Sequence, residues 1–421
     1  MGTDTQKGSN YAWAIAIACV AFYALPLALA ANHAGLFTTP LMEEFGWSQT
    51  ETTLYMSIQP WVAALCTPIA GKLLTKYNPR IVLTIAVVVF GVAHFACAWF
   101  TSPIQWDIYG AVYGASAAFW MYIATPTMVN RWFVKHNGTV IGVIGVCVSL
   151  FGAFLSPIWG GIIAEQGWQT ARMIQGALVV ILGGGITLAL LRESPDKMGV
   201  KPYGYGEEVK AKAVEKKPWD VEPDEGATRA QAMKSPALWL LILMAGLFVI
   251  SASFIQQIAR YASTVEELAA YGAMAVSVAM YASIVGKFGL GWISDHFGAV
   301  VAGVTSGVCG LVGPVLMLMA GGNVPMFLIG VGFFGLGYSA LNIVPPMTCR
   351  QAFGNVDYAN VFSIVATGLN VFSGFSALIY ATIFDLSGSY AGSFYMMITF
   401  YIILIVLSLV IVPMGRKSWA K

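Results

Sequence analysis

Apolar stretches of about 20 residues, parted by short polar segments, recur twelve times along the chain. They fall at 12–33, 50–72, 81–101, 104–130, 138–163, 171–191, 237–258, 271–292, 299–320, 325–348, 359–383 and 391–412. A stretch of that length crosses a bilayer as one helix, which satisfies its own backbone hydrogen bonds where no water can. The pattern predicts an all-α membrane protein with twelve transmembrane helices. The single long polar segment, 192–236, is rich in Lys, Glu, Pro and Gly and includes Lys210–Lys217 and Asp220–Glu225. It reads as a linker, partly disordered or carrying a short amphipathic helix. The chain thus divides into an N-terminal six-helix bundle over 1–191, the linker, and a C-terminal six-helix bundle over 237–421.

Composition agrees with the pattern. The 421 residues are 58% hydrophobic and 10% charged, with a mean hydropathy of +0.73, whereas a soluble protein carries about 25% charged residues. The first stretch is too long and too poorly flanked for a cleaved signal peptide. With the N-terminus inside, 19 of the 22 basic residues lie in cytoplasmic segments, the exceptions being Arg172 and Arg260 in external loops and Lys287 within a helix. The positive-inside rule then puts both termini in the cytoplasm. Charge of that kind needs the lipid bilayer as partner and no nucleic acid. Short loops and a compact linker place the chain in a cell inner (cytoplasmic) membrane. The six cysteines (Cys19, Cys66, Cys97, Cys147, Cys309 and Cys349) fall in or at the ends of apolar stretches without metal-ligand spacing and read as free thiols. No phosphate-binding Gly-x-x-x-x-Gly-Lys-Ser/Thr, His-Glu-x-x-His or Gly-x-Ser-x-Gly occurs, so neither ATP-driven pumping nor an enzyme is indicated, and no cofactor is implied.

Candidate chemistry begins at Lys287. It lies inside the eighth stretch, eight residues before Asp295, so its backbone is ~12 Å deep at ~1.5 Å per residue. A cation at helix centre costs at least about 2.5 kcal/mol and faces a cavity or a partner. No acidic residue is placed by sequence to neutralise it at that depth, which points to a small anionic cargo. The alternative is a lysine that snorkels to the interface.

The two halves echo each other. Gly71-Lys-Leu-Leu-Thr-Lys-Tyr-Asn-Pro-Arg80 follows the second stretch and Gly291-Trp-Ile-Ser-Asp-His-Phe-Gly-Ala-Val300 the eighth, in one register 220 residues apart. Duplication of a six-helix unit predicts this. The second loop resembles the Gly-x-x-x-Asp-x-x-Gly signature of the major facilitator superfamily; in the first, Thr75 stands for the Asp and Asn78 for the Gly. The resemblance implies a gate on the cytoplasmic side formed by Gly71, Arg80, Arg131, Gly291 and Asp295. Asn130-Arg-Trp-Phe133 with Lys135, Gly138 and Gly142, Gly286-Lys-Phe-Gly-Leu-Gly-Trp-Ile-Ser-Asp295, and Pro40-Leu-Met-Glu-Glu-Phe-Gly-Trp47 together resemble monocarboxylate porters and oxalate/formate antiporters. Gly152-Ala-Phe-Leu-Ser-Pro-Ile-Trp-Gly-Gly161 resembles the helix-five motif of superfamily antiporters, although close packing also explains it.

That resemblance implies the site residues. Lys287 stands where these families usually carry an Arg, and an ammonium is a point charge rather than a bidentate fork. Ala366 occupies the position of an antiporter lysine, so one fixed cation fits a monocarboxylate more simply than a dicarboxylate. Asn32 aligns with a porter lysine on the first helix. Beside it, His33 is either a proton-coupling group or a hydrogen-bonded structural histidine. Tyr122, Tyr338 and Asn342 align with substrate-facing positions. Asn370 and Gln59 are amides in apolar stretches, where helix–helix hydrogen bonds worth about 0.6–2 kcal/mol are the competing reading. The expected activity is secondary transport of a small carboxylate by alternating access around a midplane cavity, coupled to a proton through Lys287 or His33 or to a counter-anion, by a chain acting as a monomer. The rivals are a dicarboxylate or oxalate-type antiporter, drug export or sugar uptake, and a transport-like membrane sensor.

Overall fold

The computed structural model describes residues 2–121, 124–133, 137–204, 221 and 225–419. Twelve long helices carry the fold. They are α1 (Gly2–Cys19), α2 (Gln49–Lys76), α3 (Pro79–Ala96), α4 (Pro103–Trp120), α5 (137–166), α6 (168–178), α7 (Pro236–Ala252), α8 (272–297), α9 (299–320), α10 (Val324–Tyr338), α11 (Tyr358–Ser387) and α12 (Ala391–Arg416). Helices α5 and α6 meet at Gly167 (φ 85°) and α8 and α9 at Gly298 (φ 88°), left-handed positions that glycine reaches without Cβ strain. Among the described residues eight helical runs are long and apolar enough to cross a membrane, and two of these are the pairs joined at Gly167 and Gly298. No strand forms among those residues; there are only isolated bridges at Phe133–Tyr203 and Gly226–Gly354.

The described chain falls into two compact units, Met1–Phe45 with Ile58–Val214, and Gly46–Ser57 with Glu215–Lys421. In each, the outward stripes are apolar because lipid, not water, is the solvent they meet. On α3 the stripe is Ile81, Ile85, Val89 and Val92; on α8 it is Tyr281, Val285, Phe288 and Trp292. The first unit's core is aromatic around Phe90, Tyr113 and Trp120. The second's centres on Phe254 against Phe334, Tyr380 and Phe394.

Small residues set the helix spacing, since apolar side chains gain little by leaving lipid and close van der Waals contact has to hold the bundle. Gly91 and Gly176 join α3 to α6. In the second unit Gly335 abuts the backbone of Ala279, and Gly286 abuts Ser339, so α8 and the end of α10 run side by side.

The signature loops use different chemistry in the two halves. Gly298 turns the second by its positive φ. Asn78, extended at φ −63° and ψ 116°, caps α3 by accepting from Arg80 N at 3.0 Å, with Pro79 as the first helical residue.

Both ends of the 192–236 linker are held. Tyr203 N donates to Trp132 O at 2.8 Å in the first unit. In the second, Ala227 N donates to Phe353 O at 2.7 Å, and a short helix, Arg229–Lys234, starts from a Thr228–Gln231 capping box. The middle of the linker, including Lys210–Lys217, lies outside the described residues, as do Tyr122 and Lys135.

Candidate functional site

Among the described residues several helices are interrupted: α1, α7 and α10 pass into π or 3₁₀ backbone, and a π segment over Val179–Gly184 follows α6. After α1 a π-turn over Val20–Ala24 and a 3₁₀ segment over Ala31–Phe37 interrupt the α-helix. Helix α7 passes into Ser253–Gln256, and α10 into Ser339–Asn342 followed by Val344–Phe353. In the last case Pro345 and Pro346 bring no N–H to the turn before them, so the α-pattern cannot continue. Irregular backbone at membrane depth is tolerated where it lies within protein or lines a cavity. The first helix of each half, α1 and α7, is interrupted in this way, as duplication of a six-helix unit predicts.

In the second unit Lys287 follows Gly286, which packs on Ser339 at the α10 break, and Tyr338 precedes that serine. These two candidates therefore sit at one helix–helix contact. Lys287 is half-buried, one turn from buried Ser283, and off the lipid stripe Tyr281, Val285, Phe288 and Trp292. It is not without an interacting neighbour. Its candidacy therefore rests on depth and position and not on a lack of partners. Asn342 is exposed at the end of the 3₁₀ turn. Asn370 is half-buried on α11, between Gly368 against Ile242 and Phe372 against Gly246.

In the first unit His33 is buried, and its Nε2–H donates to Gly152 O at 3.0 Å, which fixes the tautomer. Its Nδ1, Asn32 Nδ2 and Gln59 Nε2 are buried without a hydrogen-bond partner among the described residues. The backbone carbonyl of Gln59 also packs against Gly114, where α2 and α4 come close.

Of the gate residues, Arg80 Nε donates to Leu188 O at 2.5 Å and Arg131 Nη1 lies 3.5 Å from Glu193 O. Arg80 meets a carbonyl of the short helical segment Gly185–Leu190 and Arg131 one just past its end, where carbonyls lack helical partners. Gly71 is half-buried and Asp295 exposed, and each has an interacting neighbour. Gly291 has open space, since a Cβ there would meet nothing within 4 Å.

Two polar clusters were not foreseen. Arg172, assigned by sequence to an external loop, is 1% exposed in the second turn of α6. Its Nη1 lies 3.3 and 3.1 Å from His94 Nδ1 and Nε2. His94 accepts from Tyr109 OH at 2.8 Å and donates through Nε2 to Gln175 Oε1 at 2.8 Å. The guanidinium stacks 3.8 Å over the Phe37 ring and lies 5.1 Å from that of Trp106. The second cluster binds the start of α2 into the second unit. Gln49 Nε2 donates to Gln257 Oε1 (3.0 Å) and Tyr390 OH (2.8 Å), while Asp385 accepts from Gln49 N (3.0 Å), Thr50 N (2.9 Å) and Thr50 Oγ1 (2.5 Å). An N-terminal Gln-Thr pair before an apolar run was the available signal for the cap; its partner 335 residues on was not.

A family model, the Major Facilitator Superfamily, matches residues 12–351. An Escherichia coli K12 protein described as an uncharacterised MFS-type transporter, YhjX, is 24% identical over 322 residues, 73% of either chain. A probable hexose phosphate transport protein of Chlamydia pneumoniae is 20% identical over 163 residues, 38% of this chain and 35% of that one. Among solved structures, a bacterial homologue of the human lysosomal transporter Spinster superposes with a TM-score of 0.67 at 15% identity over 98% of both chains. The nucleoside transporter NupG does so at 0.68, with 11% identity over 96% of this chain and 99% of its own. At such identities these structures show a shared fold. With that fold, its broken helices and the family match, the chain belongs to the Major Facilitator Superfamily and is a multi-pass membrane transporter.

Proposed function

We propose that this transporter moves a small organic anion by secondary active transport, with Lys287 as the anion's electrostatic anchor. The observation that carries the reading is the place of Lys287: on the protein side of α8, beside Gly286, where that helix packs on the α10 break that holds Tyr338 and Asn342. An ammonium there attracts one negative group, and the neighbouring aromatic offers an apolar wall. Because Ala366 brings no second cation, a monocarboxylate is the first expectation, ahead of a dicarboxylate. A phosphate ester is the second reading, favoured by relatives whose names assign them hexose phosphate.

An anion that neutralises Lys287 lowers the cost of closing the site, which favours exchange of anions over an empty return. Proton symport is the alternative coupling. The His33–Gly152 hydrogen bond supports a structural part for that histidine. The protein is proposed to work as a monomer in the inner membrane.

The test is a thermal-shift screen of purified protein against small mono- and dicarboxylates and sugar phosphates, beside Lys287→Ala. A ligand at about 100 times its Kd adds roughly 2.7 kcal/mol of stability. Stabilisation by one class, lost in the variant and matched by uptake of that labelled compound into vesicles, supports the reading. Stabilisation that survives in Lys287→Ala moves the anchor elsewhere. Binding without uptake favours a sensor.

A further inference from the structure

We propose that Arg172 and Gln175, on one face of α6, form a binding site for a small monovalent anion inside the first unit, of halide or formate size. This inference does not depend on which anion is transported, and Lys287 belongs to the other unit.

Arg172 is 1% exposed, and guanidinium cannot escape burial by losing its proton. Among the described residues no carboxylate lies within ion-pair distance of it; Glu44 instead accepts from Trp168 Nε1 at 2.5 Å and from Gln169 Nε2 at 3.2 Å. Phe37 and Trp106 offset part of the charge through their ring faces. His94 cannot neutralise it. With Nε2–H given to Gln175, only Nδ1 remains as acceptor, and Tyr109 already donates to it.

The unpartnered atoms share one sign. Arg172 Nε and Nη2, and Gln175 Nε2, are buried donors without acceptors, and no acceptor of these two residues is left over. Nε and Nη2 form one edge of the guanidinium, the fork that takes an anion through two parallel N–H bonds. Gln175 stands three residues on, so its amide lies on the same helix face. A water bound there would satisfy hydrogen bonds but leave the charge, whereas an anion answers both.

The test measures equilibrium binding of radiolabelled chloride and labelled formate to purified full-length protein in gluconate buffer, with a thermal shift against bromide alongside. The expected result is saturable binding of one anion, lost in Arg172→Met, weakened about tenfold in Gln175→Leu, and unchanged in Lys287→Ala. Chloride and formate are assayed separately, so the preferred anion is identified in the same experiment. No saturable binding to the wild type, or undiminished binding in Arg172→Met, overturns the proposal. Should Arg172→Met fail to fold, Gln175→Leu decides: unchanged affinity there also overturns it. Loss of binding in Lys287→Ala would show that the anion sits at the transport anchor instead.

Discussion

Two glycines of α8 and α10 show how differently one residue type is used. A Cβ on Gly335 would fall on the carbonyl of Ala279 and 2.8 Å from the Ala282 methyl, both parts of a helix that cannot yield alone. Gly335→Ala is therefore expected to lower stability by about 1–3 kcal/mol, as overpacking does. Gly291→Ala, with open space, should stay within about 0.5 kcal/mol of wild type. Thermal unfolding in one detergent compares them, and equal losses would sink the assignment of contact to Gly335. Among 45 glycines nothing in the local sequence separates these two, because the contact belongs to a partner helix. Lys287 was legible for the opposite reason: a charge in an apolar run is conspicuous whatever packs beside it. Arg172 was not, because at the edge of an apolar run it reads as a loop residue until Phe37 and Trp106 cover it.

Elements end where capping chemistry allows, and the linker's second end offers a test. Asp357, just before α11, accepts from Asn360 Nδ2 at 2.5 Å and from Arg229 N at 2.7 Å. The hydrogen bond from Asn360 is the first cause holding its carboxyl below the ordinary value of 3.8, with the Arg229 N–H second. A depressed carboxylate adds stability that is complete above the unfolded value and disappears as pH falls through the folded one. The Arg229–Lys234 helix should thus stay docked near neutral pH and loosen only below about pH 4. Hydrogen exchange over 227–234 against pH, in wild type and Asp357→Asn, checks this; identical profiles would refute it. The short helix in the linker was foreseeable from the Thr228–Gln231 spacing. The breaks were only partly so, since Pro345 and Pro346 announce the one after α10 while nothing comparable marks α7.

At the scale of the molecule, the two units echo each other at their first helices, α1 passing into a π-turn over Val20–Ala24 and α7 into Ser253–Gln256. The charge bias predicts that protease-cleavable tags at either terminus are cut in inside-out vesicles and protected in right-side-out ones; cleavage of either tag from the outer face would reverse the orientation. Hydropathy and charge bias are sums along the chain, so the all-α membrane class and the presence of a charge at Lys287 within an apolar run were legible before any packing was known. Burial is a property of what distant segments cover. That Arg172 lies inside a bundle, that Asp385 caps a helix beginning 336 residues earlier at Gln49, and which glycines stand at a contact were set by packing between segments far apart in the chain.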